Sequence, residues 1–437
     1  MTMINPYGQS LMILNTLNRN YLSMSRHMRH VSTGLRINSA ADDPSGWAIG
    51  TRMQIEIRGL DQSSRNAQAS QCMLKVAEGA ASSTIDILRT LKEKAIEAAN
   101  DTCTDTDRRT IQKMFDQYSD QIDDNAMVTF NGQYLLDGSR NSAAQLTQQA
   151  YTNQELATST TSATKLTDLA RRDGSALNIR ADDTVHISYV KDGKTYTTSY
   201  AAANTTIGDI FTKANGISTD VFDISNMDGS STIGTDSSGR TVTTPDDAGA
   251  ITVKAKTAGT SGAISGFTIS ITDKNNQVRK DVNRALDAFT ETIQPRNASS
   301  DTSFYTQTGT KANQNIKTPF GNMQASSLGL RGSDGGVINV TTREGANAAI
   351  SVLDNALSRA LDQQTTIGAQ SSRLDYTISN LTTQSENLTS AMSTIMDADM
   401  AREMTEYTRD KILVQAAQAM LAQSNQNMGW FLSLLKS

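Results

Sequence analysis

"GLRINSAADDPSGWAIG" spans Gly34–Gly50. Whether it is a reactive loop or a joint between two helices decides the fold. Upstream, Tyr7, Leu11, Leu14, Leu17, Tyr21, Met24, Met28, Val31 and Leu35 step mostly by three and four. That is an amphipathic helix with a coiled-coil-like seam. Downstream, Met53, Leu60, Ala67, Leu74, Ala81, Leu88 and Ala95 recur every seventh residue, which predicts one helix over about 44–99. Between the two, Gly34 and Asn38 suit the loosening of the first helix. Asp43 before Pro44 fits an N-cap followed by proline at the first helical position. Asp42 and Asp43 are adjacent, so at a helix start their carboxylates diverge. The stretch reads as a joint, with capping acids rather than an acid–base pair.

The far end of the chain repeats this plan. Ile350, Leu353, Leu357, Ala360, Gln364, Ile367, Ser371, Leu374, Ile378, Leu381, Ser385, Leu388, Met392 and Ile395 keep the same three–four step with three polar lapses. A second acidic joint, "MDADM" (396–400), carries Asp397 and Asp399. A terminal helix follows, in which residues 412–435 hold no charged side chain. Its polar face is Gln, Asn and Ser, which suits burial among protein helices better than a membrane surface, where Lys and Arg are usual.

"NDTCTDTD" (100–107) is a turn rich in capping residues, and a third helix is expected over about 105–127. "TFNGQYLLDGS" then reads as a hairpin around Asn-Gly. From about 163 to 297 the texture changes to strand-like runs such as "TVHISYV", "KTYTTSYA", "AITVKAKT" and "GFTISIT". "KDGK" (191–194) is a hairpin turn. A short helix over 205–216 is capped by Thr206, and a closing helix is expected over 276–293. The fold expected is mainly α. A long antiparallel, coiled-coil-like bundle is built from both ends with a small hairpin, and an α+β domain is inserted. The segments are 1–43, 44–162, 163–297, 298–396 and 397–437, with the insertion at the far tip.

Composition narrows the function classes. The 437 residues are 37% hydrophobic and 5% aromatic, with five prolines and a net charge of −5. No basic stripe of a nucleic-acid binder is present. No apolar run is long enough for a membrane helix, and the start lacks a signal-peptide pattern, so by these rules alone the chain would be cytoplasmic. Cys72 and Cys103 are held roughly 40 Å apart by about 27 helical residues, so both are expected free. His27 and His30 lie one helical turn apart with no Cys, Asp or Glu nearby in sequence, and a metal needs a third ligand. No metal, cofactor or catalytic residue is therefore expected. No nucleophile–base pair or nucleotide fingerprint is present either.

The segments "STGLRINSAADDPSGWAI" (32–49), "GLDQSSRNAQ" (59–68), "FNGQYLLDGS" (130–139) and "NLTSAMSTIMDADMAREMTEYTRDKILVQAAQAMLAQSNQ" (387–426) resemble bacterial flagellin at both ends, in the right order. The resemblance implies a homopolymeric extracellular filament for motility. The terminal segments would line its channel, and the long helices would make the subunit contacts. It implies a self-assembly seam of Leu11, Leu14, Leu17, Tyr21, Met28, Val31, Met404, Tyr407, Met420 and Leu421, with both ends ordering only on assembly. It also implies signal-free export through the flagellar type III apparatus, a chaperone at the C-terminal helix, and contacts with cap and hook-junction proteins.

Some flagellins engage an innate Toll-like receptor through an Arg, a Leu four residues on and a Glu on the next helix. Those positions fall here on Thr90, Lys94 and Met114, with Arg89 and Glu93 close by, which implies weakened receptor activation. The tail "NQNMGWFLSLLKS" departs too, lacking a common proline and adding Trp430 and Phe431. A hook–filament junction protein, or an enzyme on a flagellin scaffold, is the competing reading. The long insertion and the C-terminal motif favour the filament subunit.

Overall fold

A computed structural model describes residues 6–217, 221–225, 227 and 229–436, and the side chains of Tyr7 and Phe431 lie outside the described set. In chain order the elements begin with α1 (Pro6–Thr33), α2 (Pro44–Ala99) and α3 (Asp105–Ala126). The strands β1 (Thr129–Phe130), β2 (Gln133–Tyr134), β3 (Ala150–Asn153), β4 (Thr184–Lys191) and β5 (Lys194–Ala201) follow. Next come α4 (Ile207–Asn215), β6 (Phe222–Asp223), β7 (Thr232–Thr235), β8 (Thr241–Thr243), β9 (Ile251–Ala255) and β10 (Ile264–Thr272). The chain continues through α5 (Lys280–Leu286), β11 (Phe289–Ile293), β12 (Phe304–Gln307), β13 (Asn315–Thr318) and α6 (Ala325–Leu328), and closes with α7 (Arg343–Met396) and α8 (Met400–Lys436). The fold is mainly α with an inserted α+β part.

The chain forms two compact units: Met1–Ala67 with Gln307–Gln314 and Tyr376–Ser437, and Gln68–Thr306 with Asn315–Asp375. The division cuts through α2 and α7 rather than falling at the joints, because a helix more than fifty residues long can serve two cores.

In the first unit, α1 and α8 run antiparallel. The Tyr21 hydroxyl accepts from Gln418 Nε2 at 2.6 Å, and Leu17 packs on Val414 and Ala417 with Met24 and Leu421 alongside. The opening part of α2 meets the closing part of α7, where the Ser385 hydroxyl donates to Asp61 at 2.9 Å.

In the second unit, the rest of α2 and α7 continue antiparallel, with Gln71 bonded to Asp375 and Lys92 to Asp354. The seventh-residue stripe is buried: Leu74, Ala81, Leu88 and Ala95 are all within 1% of full burial. The C-terminus of α2 is closed by Arg108 on α3. Its Nε donates to the Ala98 carbonyl at 2.9 Å and its Nη2 to that of Asn100 at 3.1 Å. A cation at the negative end of a helix satisfies carbonyls that no further turn can reach. α3 itself starts on a Thr104–Asp107 capping box.

The inserted part holds two antiparallel sheets, ordered β10-β4-β5 and β11-β3-β9-β6. Alternation along β4 buries Val185, Ile187 and Tyr189, the period of two that a half-buried strand requires. Asp192 and Gly193 make the β4–β5 turn with positive φ, the backbone of a tight two-residue hairpin. Between the sheets, α4 drives Phe211 against Phe222 and Phe267. Gly266 on β10 admits α7, since a Cβ there would lie 2.8 Å from Val352 Cγ2.

Two expectations fail. The closing helix stops at Leu286, and "FTETI" becomes β11, paired with β3. The side chains of Asn283 and Asp287 accept from the Ile271 and Ile269 N–H groups of β10, at 2.7 and 2.9 Å. They tie the helix to the sheet edge, and the β-branched run beyond them pairs better than it coils. The sheet also takes in β3 at Ala150–Asn153, upstream of the expected start at 163. All four of its residues are buried, so it shows no alternation to betray it.

Candidate functional site

The two acidic joints lie against each other within the first unit. α1 ends at Gly34, whose φ of 72° and N–H to the His30 carbonyl (2.8 Å) form a left-handed cap. The chain then extends. Leu35 bridges Asp397, Arg36 N–H donates to the Met396 carbonyl at 2.7 Å, and Ala398 N–H donates to the Gly34 carbonyl at 2.9 Å. The Arg36 guanidinium donates to the Ile395 carbonyl at 2.6 Å, placing a cation on the C-terminal end of α7. Ile37 is 2% exposed and fits over Gly46, where a Cβ would come within 2.5 Å of its Cδ1.

Each joint acid has a local partner. Asp42 Oδ2 accepts from the Ser39 hydroxyl and from the Asn38 and Ser39 N–H groups at 3.0–3.2 Å. The Ser39 hydroxyl, more than the backbone groups, holds this carboxyl below the usual range. Asn38 Nδ2 donates to the Leu35 carbonyl at 2.9 Å. Asp43 accepts from Ser45 N–H at 3.1 Å, one residue past Pro44. Ser393 bonds Asp397, and Asp399 caps α8 through the N–H groups of Ala401 (3.1 Å) and Arg402 (3.2 Å). Asp42, Asp43 and Asp399 thus hold backbone donors, and Asp397 holds a serine hydroxyl. Trp47, beside them, is half-buried.

Along the α1–α8 pair the seam is only partly closed. Leu17 is buried, and Val31, Tyr407 and Leu421 are half-buried. Leu11, Leu14, Tyr21, Met28, Met404 and Met420 are 40–60% exposed. Met12 and Leu22, at 71%, and Ile412, at 59%, extend this apolar surface.

No acid lies near His27 and His30 in sequence, but one does in space. α8 brings Glu403 between them. Its Oε2 is 2.6 Å from His27 Nδ1, and its Oε1 is 3.3 Å from His30 Nδ1. Asp410 Oδ2 lies 3.8 Å from His27 Nε2. Contact with the two imidazoles, His27 above all, outweighs burial and keeps the Glu403 carboxyl below the usual range. Glu403 is 376 residues from His27, so only the antiparallel register of α1 and α8 brings them together. The available signal was the seven-residue spacing of Glu403 and Asp410, which puts both on one face of a helix.

The receptor-related positions sit on α2 and α3. Arg89 pairs with Asp86 at 3.1 Å, Thr90 Oγ1 bonds the Asp86 carbonyl, and Lys94 pairs with Glu97 at 2.7 Å. Glu93 is exposed and Met114 half-buried.

Paired end helices, acid-capped joints and a partly exposed apolar seam define a mainly helical protein with an inserted α+β part. Its sequence matches the model of the bacterial flagellin N-terminal helical region over residues 4–141 and that of the C-terminal helical region over 350–435. It is 34% identical over 423 residues to a flagellin of Clostridium tyrobutyricum, covering 94% of this chain and 96% of the relative. It is 26% identical to the flagellar filament 33 kDa core protein of Treponema phagedenis, covering 99% of each. With the B-type flagellin of Pseudomonas aeruginosa it shares 28% identity over 500 residues, again covering 99% of each. The chain belongs to the bacterial flagellin family.

Proposed function

We propose that this chain is a structural subunit that polymerises into the extracellular flagellar filament, with no catalytic role. The observation that carries this reading is the unfinished seam of α1 and α8. A pair of helices with a core of Leu17, Val414 and Ala417 leaves a row of large apolar side chains in water. Contiguous apolar surface of this kind marks an interaction face, and further copies of the same pair would cover it. The terminal segments 1–43 and 397–437 then form the channel-lining layer, the long helices the subunit contacts, and the insertion the outer surface. The joints at Gly34–Pro44 and Asp397–Asp399 connect the layers. The terminal helices order on assembly, so stability depends on polymerisation. Export proceeds unfolded through the type III apparatus, with a chaperone on α8. Cap and junction proteins contact the ends of the filament.

Electron microscopy and sedimentation of the purified full chain test this. Long filaments are expected, and deletion of 400–437 is expected to abolish them while the insertion keeps its β signature. Normal filaments after that deletion would refute the reading. A junction protein would give short, self-limited assemblies instead.

A further inference from the structure

We propose that His27, His30 and Glu403 form a site for a divalent cation of the zinc class, which clips α1 to α8 within one chain. One ligand atom from each residue lies within 4.8 Å of the other two. Both imidazoles turn Nδ1 toward the Glu403 carboxylate, at 2.6 and 3.3 Å. Zinc bonds of about 2.0–2.1 Å require ligand atoms roughly 3.3 Å apart, so small side-chain rotations close the set. The second observation is His30 itself. It is 7% exposed; its Nδ1 approaches Glu403 Oε1 at 3.3 Å without hydrogen-bond geometry, and its Nε2 has no hydrogen-bond partner. A buried imidazole with an unused lone pair is costly unless something accepts that pair.

Asp410 supplies the outer support. It is 6% exposed, its Oδ2 has no hydrogen-bond partner, and it faces His27 Nε2, the nitrogen on the far side of the ring from Glu403. A carboxylate behind a ligating imidazole fixes the tautomer that frees the other nitrogen for metal. Two nitrogens and one carboxylate oxygen suit zinc better than magnesium or calcium, which prefer oxygen alone. Water completes a four-coordinate shell. Because the ligands come from opposite ends of the chain, binding selects the paired helices over the separated ones.

The experiment uses the full chain with Cys72→Ser and Cys103→Ser, which removes competing thiols, freed of metal with a chelator. Zn²⁺ is titrated calorimetrically into soluble and polymerised protein. One saturable equivalent is expected in at least one form, with a rise in the melting temperature of that form and no response to Mg²⁺. His30→Gln and Glu403→Gln should lose both the equivalent and the rise, and His186→Gln should keep both. The chain has three histidines, so imidazole nitrogen resonances of the soluble protein with all three intact give a readout free of folding defects. In the form that binds, Zn²⁺ should perturb His27 and His30 and leave His186 unmoved; magic-angle spinning spectra serve for the polymer. The proposal is overturned if neither form binds a saturable equivalent, or if binding survives both substitutions. Polymerisation in chelator is scored separately and tests only the filament reading.

Discussion

Leu35 and Asp397 face each other across an antiparallel β-bridge, flanked by the 2.7 Å bond from Arg36 N–H to the Met396 carbonyl. The end of α1 and the approach to α8 are thus fixed by backbone groups. The acids around the bridge are free to cap, and the register of the two terminal helices is set from this point.

Asp43→Ala removes the acceptor of Ser45 N–H and should weaken the start of α2 by about 0.5–2 kcal/mol. Hydrogen exchange at Ser45–Trp47 should accelerate, while the β fold of the insertion keeps its protection. Unchanged exchange there would show that Pro44 alone sets the helix start.

Arg108→Met keeps the bulk but strands the Ala98 and Asn100 carbonyls that Arg108 serves at 2.9 and 3.1 Å. A loss of about 1.5–3 kcal/mol is expected, read by denaturant unfolding. Arg108→Lys should recover only part, because one ammonium cannot reproduce the planar fork.

Glu291 and Arg359 form an ion pair at 2.5 Å, with side chains 7% and 15% exposed. Glu291→Ala should cost about 3–5 kcal/mol because it leaves a buried guanidinium unpaired. The double change Glu291→Met with Arg359→Met should be markedly less damaging than the single one. Equal losses would place the effect in packing rather than charge.

Asp301 is bonded by Lys317, and by the Ser303 and Tyr305 hydroxyls at 2.6 and 3.0 Å. Lys317 above all holds its carboxyl well below the usual range. The folded state therefore binds this proton more weakly than the unfolded one. The stabilisation is fully present above the ordinary carboxylate pKa and is lost as pH falls through the folded value. Lys317→Ala should return the Asp301 titration, followed by carboxyl NMR, toward the ordinary range.

By resemblance to the receptor-engaging pattern of some flagellins, Thr90, Lys94 and Met114 are expected to stand where Arg, Leu and Glu are usual. Signalling in a Toll-like receptor reporter assay is expected to be weak, and the combined change Thr90→Arg, Lys94→Leu and Met114→Glu should raise it. Full potency of the unaltered chain would overturn this expectation.

The long helices were legible because their signal is periodic. Met53 through Ala95 at strict sevens placed α2 at 44–99, and the Asn-Gly and Asp-Gly turns placed two hairpins through backbone preferences local to two residues. β11 was not legible, because "FTETI" follows a helical run without a break and its partner β3 lies far upstream. Arg108 reads as one more surface charge until the end of α2 is seen beside it.

By itself the sequence determined the long helices, the bounds of α2 and which face of each is apolar, since those properties rest on near neighbours along the chain, whereas it misplaced the end of α5. Only the tertiary structure decided what meets from distant parts of the chain: Leu35 with Asp397, Glu291 with Arg359 across 68 residues, and His27 and His30 with Glu403. Such pairings depend on the register of packed helices and sheets. A shift of one helical turn, about 5.4 Å, would separate every one of those helix-borne partners without changing any local signal.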